Sequence, residues 1–201
     1  MILRSSPPSP FGRKVKIAAS LLGLSDRIQI VAADTNDTSE ILRQQNPLGK
    51  IPTLILDNGE TLFDSRVILE YLDHLAGGGR ILPQDADARF AALRLQALCD
   101  GIMDASILRV YEKRFRPETL HHAPWLDYQT EKVTRALGSL EAAPPALDPM
   151  PNVGQITLAC ALGYQDLRFE GTWRASYPKL VAWLDRFAAQ VPAFAATKVQ
   201  P

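Results

Sequence analysis

The hydrophobic period of this chain changes once, at Gly77-Gly78-Gly79, and that change limits the folds open to it. Ahead of the glycines, short strand-like and helix-like stretches alternate. After them the apolar spacing is helical to the end. The first segment starts with an apolar stretch, Ile2 to Arg4, and a turn-rich loop from Ser5 to Pro10. Phe11 to Leu24 then carries Val15, Ala18, Ala19 and Leu22 at helical spacing, with Gly23 as the stop. Ile28 to Val31 alternates as a strand, and Thr38-Ser39-Glu40 opens a short helix that must end before Pro47. Pro52 to Leu56 reads as a strand, Asp57-Asn58-Gly59 as a tight turn, and Glu60 to Phe63 as the antiparallel return. Asp64-Ser65 caps a helix whose apolar face is Val67, Ile68, Tyr71, Leu72 and Leu75. Beyond the glycines, helices are predicted over Asp87–Tyr111, Trp125–Leu140, Ile156–Phe169 and Pro178–Ala189. The first of these would turn Phe90, Leu93, Ala97, Leu98, Gly101 and Ala105 inward.

Composition narrows the function. With 201 residues, the chain holds one large domain or two small ones. Lys plus Arg and Asp plus Glu number 22 each, a zero net charge that argues against nucleic acid or an anionic membrane as partner. No signal peptide is expected from Met1 to Pro8, and the longest apolar runs are too short to span a bilayer. Cys99 and Cys160, widely separated within helix-like stretches, read as free buried thiols in a reduced cytosol, so the expected location is cytoplasmic. Three histidines without a Cys or acidic cluster at ligand spacing predict no metal site, and His121-His122 before Pro124 read as a solvated loop.

Three short motifs carry chemistry: Ser9-Pro10-Phe11-Gly12, the stretch Asn46 to Pro52, and Phe63-Asp64-Ser65. Pro52 stands at a strand entry and has no amide N–H to give to a ladder. Asp64-Ser65 opens a helix, whose first turn offers unpaired N–H groups and a positive dipole end to a carboxylate.

In this order the motifs resemble the cytosolic glutathione transferases, and the resemblance covers essentially the whole chain. The run "A-L-C-D-G-I-M-D-A", Ala97 to Ala105, is similar to a bacterial, serine-type branch of that superfamily. The resemblance implies an α/β thioredoxin-like domain over residues 1–76, ordered β-α-β-α-β-β-α on a mixed four-stranded sheet. A linker over 77–85 and an all-helical bundle over 86–201 would follow. It implies glutathione as co-substrate, a small electrophile as second substrate, and a homodimer.

Residue by residue, the resemblance makes the Ile51–Pro52 bond cis, so that the backbone of Ile51 pairs with the cysteinyl part of glutathione as an added strand. Ser65 and its amide would hold the γ-glutamyl carboxylate, with Asp64 near the ammonium, and Lys50 would reach the glycyl carboxylate. Ser9 stands where related redox enzymes carry the first cysteine of Cys-Pro-aromatic-Cys, and Gly12 where they carry the second. Without those cysteines a thiol–disulfide oxidoreductase is disfavoured. Ser9 would donate a hydrogen bond to the glutathione thiolate, with Ser6 as rival donor. Asp100 and Asp104, four apart on one helix, are open between acid/base work and a solvated or salt-bridged face. Thr157 to Cys160 reads as a half-kept version of a buried Ser/Thr-x-x-Asp cap. The activity implied is glutathione S-transfer. The alternatives are a glutathione-dependent isomerase or peroxidase, or a non-catalytic interaction module.

Overall fold

β1 (Ile2–Ser5) is the strand on which the first domain is assembled, in a computed structural model that describes residues 1–37 and 41–199. It pairs in parallel with β2 (Gln29–Ala32), Ile2 opposite Gln29, and antiparallel with β3 (Thr53–Ile55), Leu3 opposite Leu54. β4 (Thr61–Leu62) closes the four-stranded order β2-β1-β3-β4. A parallel β1–β2 pair requires a crossover, and α1 (Pro10–Leu21) supplies it. Pro10 begins that helix where its missing N–H costs nothing, and Gly23, at φ 71°, releases the chain from it. α2 (Leu42–Gln45) is one short turn. The expected helix opening at Thr38-Ser39-Glu40 lies outside the described residues. α3 (Ser65–Leu75) packs beside α1.

The glycine run after α3 is tightly held. Gly77, Gly78 and Gly79 all take positive φ, and the buried Asp73 carboxylate accepts the N–H groups of Gly79 (2.7 Å), Arg80 (2.9 Å) and Ile81 (2.7 Å). Ile81 is fully buried, and its C=O accepts the N–H of Val153.

The second domain comprises α4 (Ala86–Phe115), α5 (Ala123–Ala142), α6 (Val153–Arg168), α7 (Pro178–Gln190) and the short α8 (Pro192–Ala196). α6 runs through the middle, with 12 of its 16 residues buried, as befits a helix apolar nearly all round. At Gly154 it approaches α4 so closely that a Cβ would stand 2.7 Å from the Ala92 carbonyl oxygen.

Two sequence expectations are corrected here. The buried stripe of α4 is Ala92, Gln96, Cys99, Asp100, Ile102, Met103, Ala105 and Ser106, while Phe90 is 70% exposed and Leu98 38%. Polar residues occupy part of the stripe, so counting apolar residues alone rotates the face. The cap of α6 is a complete capping box at Asn152 and Gln155; Thr157 lies inside the helix, donating its hydroxyl to the Val153 carbonyl. Replacing Asp73 by Ala would orphan three N–H groups, that of Ile81 buried, and urea unfolding is expected to show a loss of about 2–4 kcal/mol.

Candidate active site

Strand register brings the three motifs to one rim. With Arg4 opposite Thr53, the loop leaving β1 passes Ile51 and Pro52 as they enter β3. With Leu54 opposite Leu62, the exit of β4 puts Phe63 and Asp64 beside the same entry. α1 and α3 therefore both begin there, with N-termini turned to a common space.

Each part of the rim has groups to spare. The bonds Ile51–Pro52 and Phe63–Asp64 are both cis. Asn46, buried, shapes the approach to β3: its Nδ2 donates to the carbonyl of Lys50 (3.0 Å) and its Oδ1 accepts the Leu48 N–H (3.0 Å). Among the described residues, neither the N–H nor the C=O of Ile51 has a hydrogen-bond partner. Ser9 caps α1, its Oγ accepting the Gly12 N–H at 3.1 Å, which leaves the hydroxyl proton free to be donated. Gly12 is dictated by packing, since a Cβ there would meet the buried Ser5 Oγ at 2.1 Å. Ser6 is half-buried, and its carbonyl is taken by the N–H of Ser9.

At α3, Asp64 caps the helix through the Arg66 N–H (2.9 Å) and pairs with the Arg66 guanidinium (3.0 Å). Burial would lift the Asp64 carboxyl, but the hydrogen bonds from Arg66 outweigh it and hold it below its ordinary range. Ser65 is buried, and its Oγ accepts a hydrogen bond from Lys14 Nζ at 3.2 Å. Lys14, fully buried, also pairs with Asp100 Oδ1 at 2.7 Å. The other Asp100 oxygen, Oδ2, is buried without a hydrogen bond, with Arg66 Nε at 3.7 Å. Desolvation raises the Asp100 carboxyl against the pull of Lys14.

Comparison with known proteins gives this rim a context. Residues 8–75 match the family model of the glutathione S-transferase N-terminal domain, and residues 107–186 that of the C-terminal domain. The chain belongs to the glutathione S-transferase family. An uncharacterised glutathione S-transferase-like protein of Escherichia coli K12, YibF, is 33% identical over 90% of each chain. A crystallised glutathione transferase family member from Pseudomonas fluorescens Pf-5, with bound glutathione, is 41% identical with a TM-score of 0.90, covering 100% of this chain and 99% of its own. The same family member has also been solved with S-(propanoic acid)-glutathione, at a TM-score of 0.87, covering all of both chains. A glutathione S-transferase from Methylobacillus flagellatus KT, with glutathione bound, is 34% identical over 99% of each chain, TM-score 0.91.

In this family member the residues expected at the site fall into two groups. Ser9, Ile51, Asp64 and Ser65 stand on the common rim. Lys50 is exposed and, among the described residues, has no ion-pair partner, though it acts on the Asp104 carboxyl from across the domain boundary. Asp100 and Asp104 are separated in character: Asp104 is exposed, whereas Asp100 is buried and ion-paired with Lys14, a salt-bridged position rather than a solvated one. Lys14 is not marked as a site residue by hydropathy, which sends lysines outward. Its spacing to Ala18 and Leu22, on the apolar stripe, was the available signal. Neither cysteine is poised to react: both are free and buried, and burial pushes Cys160 up to about 11 and Cys99 further still. Among the described residues no metal-binding group forms, and no helix is long and apolar enough to cross a membrane.

Removing one charge of the Lys14–Asp100 pair would strand the other. Asp100→Ala is expected to cost about 3–5 kcal/mol in urea unfolding, and Lys14→Met with Asp100→Leu to recover most of that loss. Recovery of less than half would mean that the pair itself is needed to hold the two domains.

Proposed function

We propose that this protein binds glutathione on the rim and joins its sulfur to a small electrophile, as a glutathione S-transferase. The observation that carries the reading is the convergence of three unfilled donor and acceptor sets. They are the Ile51 backbone, the N-terminus of α3 at Ser65, and the Ser9 hydroxyl. A tripeptide with a free backbone edge, a carboxylate and a thiol meets one of them with each part.

In this reading the cysteinyl backbone pairs with Ile51 as an added strand. The γ-glutamyl carboxylate takes the Ser65 amide and hydroxyl, where the dipole of α3 and the Lys14 ammonium behind Ser65 both favour an anion. Asp64 turns toward the ammonium, and Lys50 lies free to meet the glycyl carboxylate. The sulfur then faces Ser9. A thiol of pKa ~8.5 is only a few per cent ionised at neutral pH. Making it a hundredfold more acidic ionises roughly three-quarters of it and requires about 2.7 kcal/mol of preference for the anion. One charge-assisted hydrogen bond supplies about 1.5–3 kcal/mol, so Ser9 with the dipole of α1 is sufficient. Its gain is trimmed because nucleophilicity falls with basicity. The thiolate bound in this way attacks an electrophilic carbon. The relative crystallised with S-(propanoic acid)-glutathione carries the kind of conjugate such an attack leaves.

The protein is further proposed to act in the cytoplasm as a homodimer. Val67 on α3 and Phe90 on α4 are exposed near the Glu70–Arg89 pair (2.6 Å) that joins these helices, an apolar face suited to a second copy. Sedimentation equilibrium is expected to give twice the chain mass, and Phe90→Asp to shift it to the monomer. Ser9→Ala is expected to lower conjugation at least ~tenfold while calorimetry shows little change in glutathione affinity, in line with loss of one donor to the thiolate. Unchanged turnover would remove Ser9 from the mechanism, and a like loss in Ser6→Ala alone would transfer the function to Ser6.

A further inference from the structure

A cavity of about 580 Å³ opens next to Ser9, on the face of α1 turned to the second domain. Pro7, Pro8, Ser9, Arg13, Tyr164 and Phe194 are among the residues that line it. Arg13 stands four residues after Ser9, on the same side of the helix, so its side chain leaves α1 in the direction of the cavity. The guanidinium is flanked by the Phe194 ring, 4.0 Å from centroid to Cζ, and by α6 at Gly163, where a Cβ would meet Nη1 at 2.5 Å. Gly163 is thus the residue that makes room for it.

Arg13 is only 8% exposed, and none of its bonds is to an acid. Its Nε donates to Thr197 Oγ1 (3.2 Å) and its Nη2 to the Phe194 carbonyl (2.5 Å), both neutral acceptors. Among the described residues no carboxylate lies within ion-pair distance of it, and Nη1 has no hydrogen-bond partner. The nearest candidate, Asp166, is spent on Arg174, which holds it at 2.9 and 2.7 Å, and on Trp173 Nε1 at 2.8 Å. Of the remaining lining charges, Asp185 and Lys198 are of opposite sign, so the cavity keeps an excess positive charge that Arg13 provides. Buried charges are ordinarily paired, and among the described residues none pairs this one.

We propose that the electrophile conjugated by this protein carries a carboxylate, and that Arg13 receives it as a specificity-determining residue. The inference rests on the glutathione-conjugating reading of Ser9 and names the substrate class for it. The guanidinium offers a planar fork of N–H donors that a carboxylate matches and a neutral group does not. In the reaction the thiolate pair forms the new S–C bond. Either a halide leaves with its own pair, or the π pair of an activated double bond moves to the neighbouring carbon, which takes a proton from water. The carboxylate stays on the transferred group, so product as well as substrate would meet Arg13. An unsaturated acid is a sluggish electrophile because attack adds negative charge to an anion. A fixed cation at the carboxylate opposes that penalty.

The test compares an acid with its neutral isostere. Calorimetry with S-(2-carboxyethyl)glutathione and S-(2-carbamoylethyl)glutathione is expected to favour the acid at least tenfold in the wild-type protein. The ratio is expected to fall to within twofold in Arg13→Gln, to survive in part in Arg13→Lys, and to persist in Lys198→Gln. The same preference is expected in turnover, as the ratio of kcat/KM for 4-chloro-3-nitrobenzoate to that for 4-chloro-3-nitrobenzamide, each divided by its uncatalysed rate. Equal binding of the two conjugates by the wild-type protein overturns the inference while leaving glutathione conjugation intact, whether or not the Arg13 variants fold. A preference that vanishes in Lys198→Gln but not in Arg13→Gln overturns the assignment to Arg13. Failure to bind glutathione or either conjugate removes the underlying reading and this inference with it.

Discussion

The Lys14 ammonium, 2.7 Å from Asp100 and 3.2 Å from Ser65, joins α1, α3 and α4 at one buried point, and the geometry of the rim follows from it. α1 and α3 belong to the first domain and α4 to the second, so this one side chain ties two helices of the sheet domain to the bundle. A buried ion pair is weak evidence for net stability, because desolvation consumes most of the Coulombic gain. Its value lies in geometry. An ammonium that must reach a carboxylate on one helix and a hydroxyl on another admits few arrangements of those helices. Ser9 and Ser65, which head separate helices, are thereby kept at a fixed relation to each other and to the second domain.

The rim itself needs little special construction. Its ligand-facing groups are those that a thioredoxin-like fold leaves over: N–H groups of a helix start, a strand entry interrupted by proline, and the hydroxyl of a helix cap. Local side chains settle which of them remain open. Asn46 organises the turn before Pro52 but leaves Ile51 alone, and Ser9 accepts from Gly12 while keeping its own proton. Such a rim suits a peptide-like molecule before any residue is specialised for chemistry. This is why fold and ligand class are read together here, and why the reaction needs a separate argument.

The same distinction explains what the sequence made legible. The succession of elements along the chain, the turn at Asp57-Asn58-Gly59, the cap at Asp64, and the change of period after α3 depend on neighbours in sequence. Each is visible as a local pattern. The polar residues that join the domains are not. Lys14, Arg13 and Asp100 sit at positions that helical periodicity marks as buried, yet a reading based on hydropathy sends charged residues outward. The face of α4 was misplaced for that reason, since Gln96, Asp100 and Ser106 lie in its buried stripe. The cap of α6 was misplaced for a different one: Asn152 and Gln155 form the box, whereas a threonine five residues further on looked like it. Buried charge is invisible to periodicity until its partner, 86 residues away in the case of Lys14, is brought alongside.

Arg13 and Lys14, adjacent in sequence, meet that requirement in opposite ways. Both are buried, and each points from α1 into a contact with the second domain. Lys14 has a resident acid, and its effect on a ligand is indirect, through the hydroxyl of Ser65. Among the described residues Arg13 donates to a carbonyl and a hydroxyl, acceptors that orient a guanidinium without neutralising it. If the role of Arg13 were only to hold the segment around Phe194 and Thr197, a neutral donor such as glutamine would serve and the cost of burying a cation would be avoided. A cation held rigid by neutral partners, in the cavity that Ser9 also lines, is instead organised for a charge that arrives from outside, as proposed for the substrate.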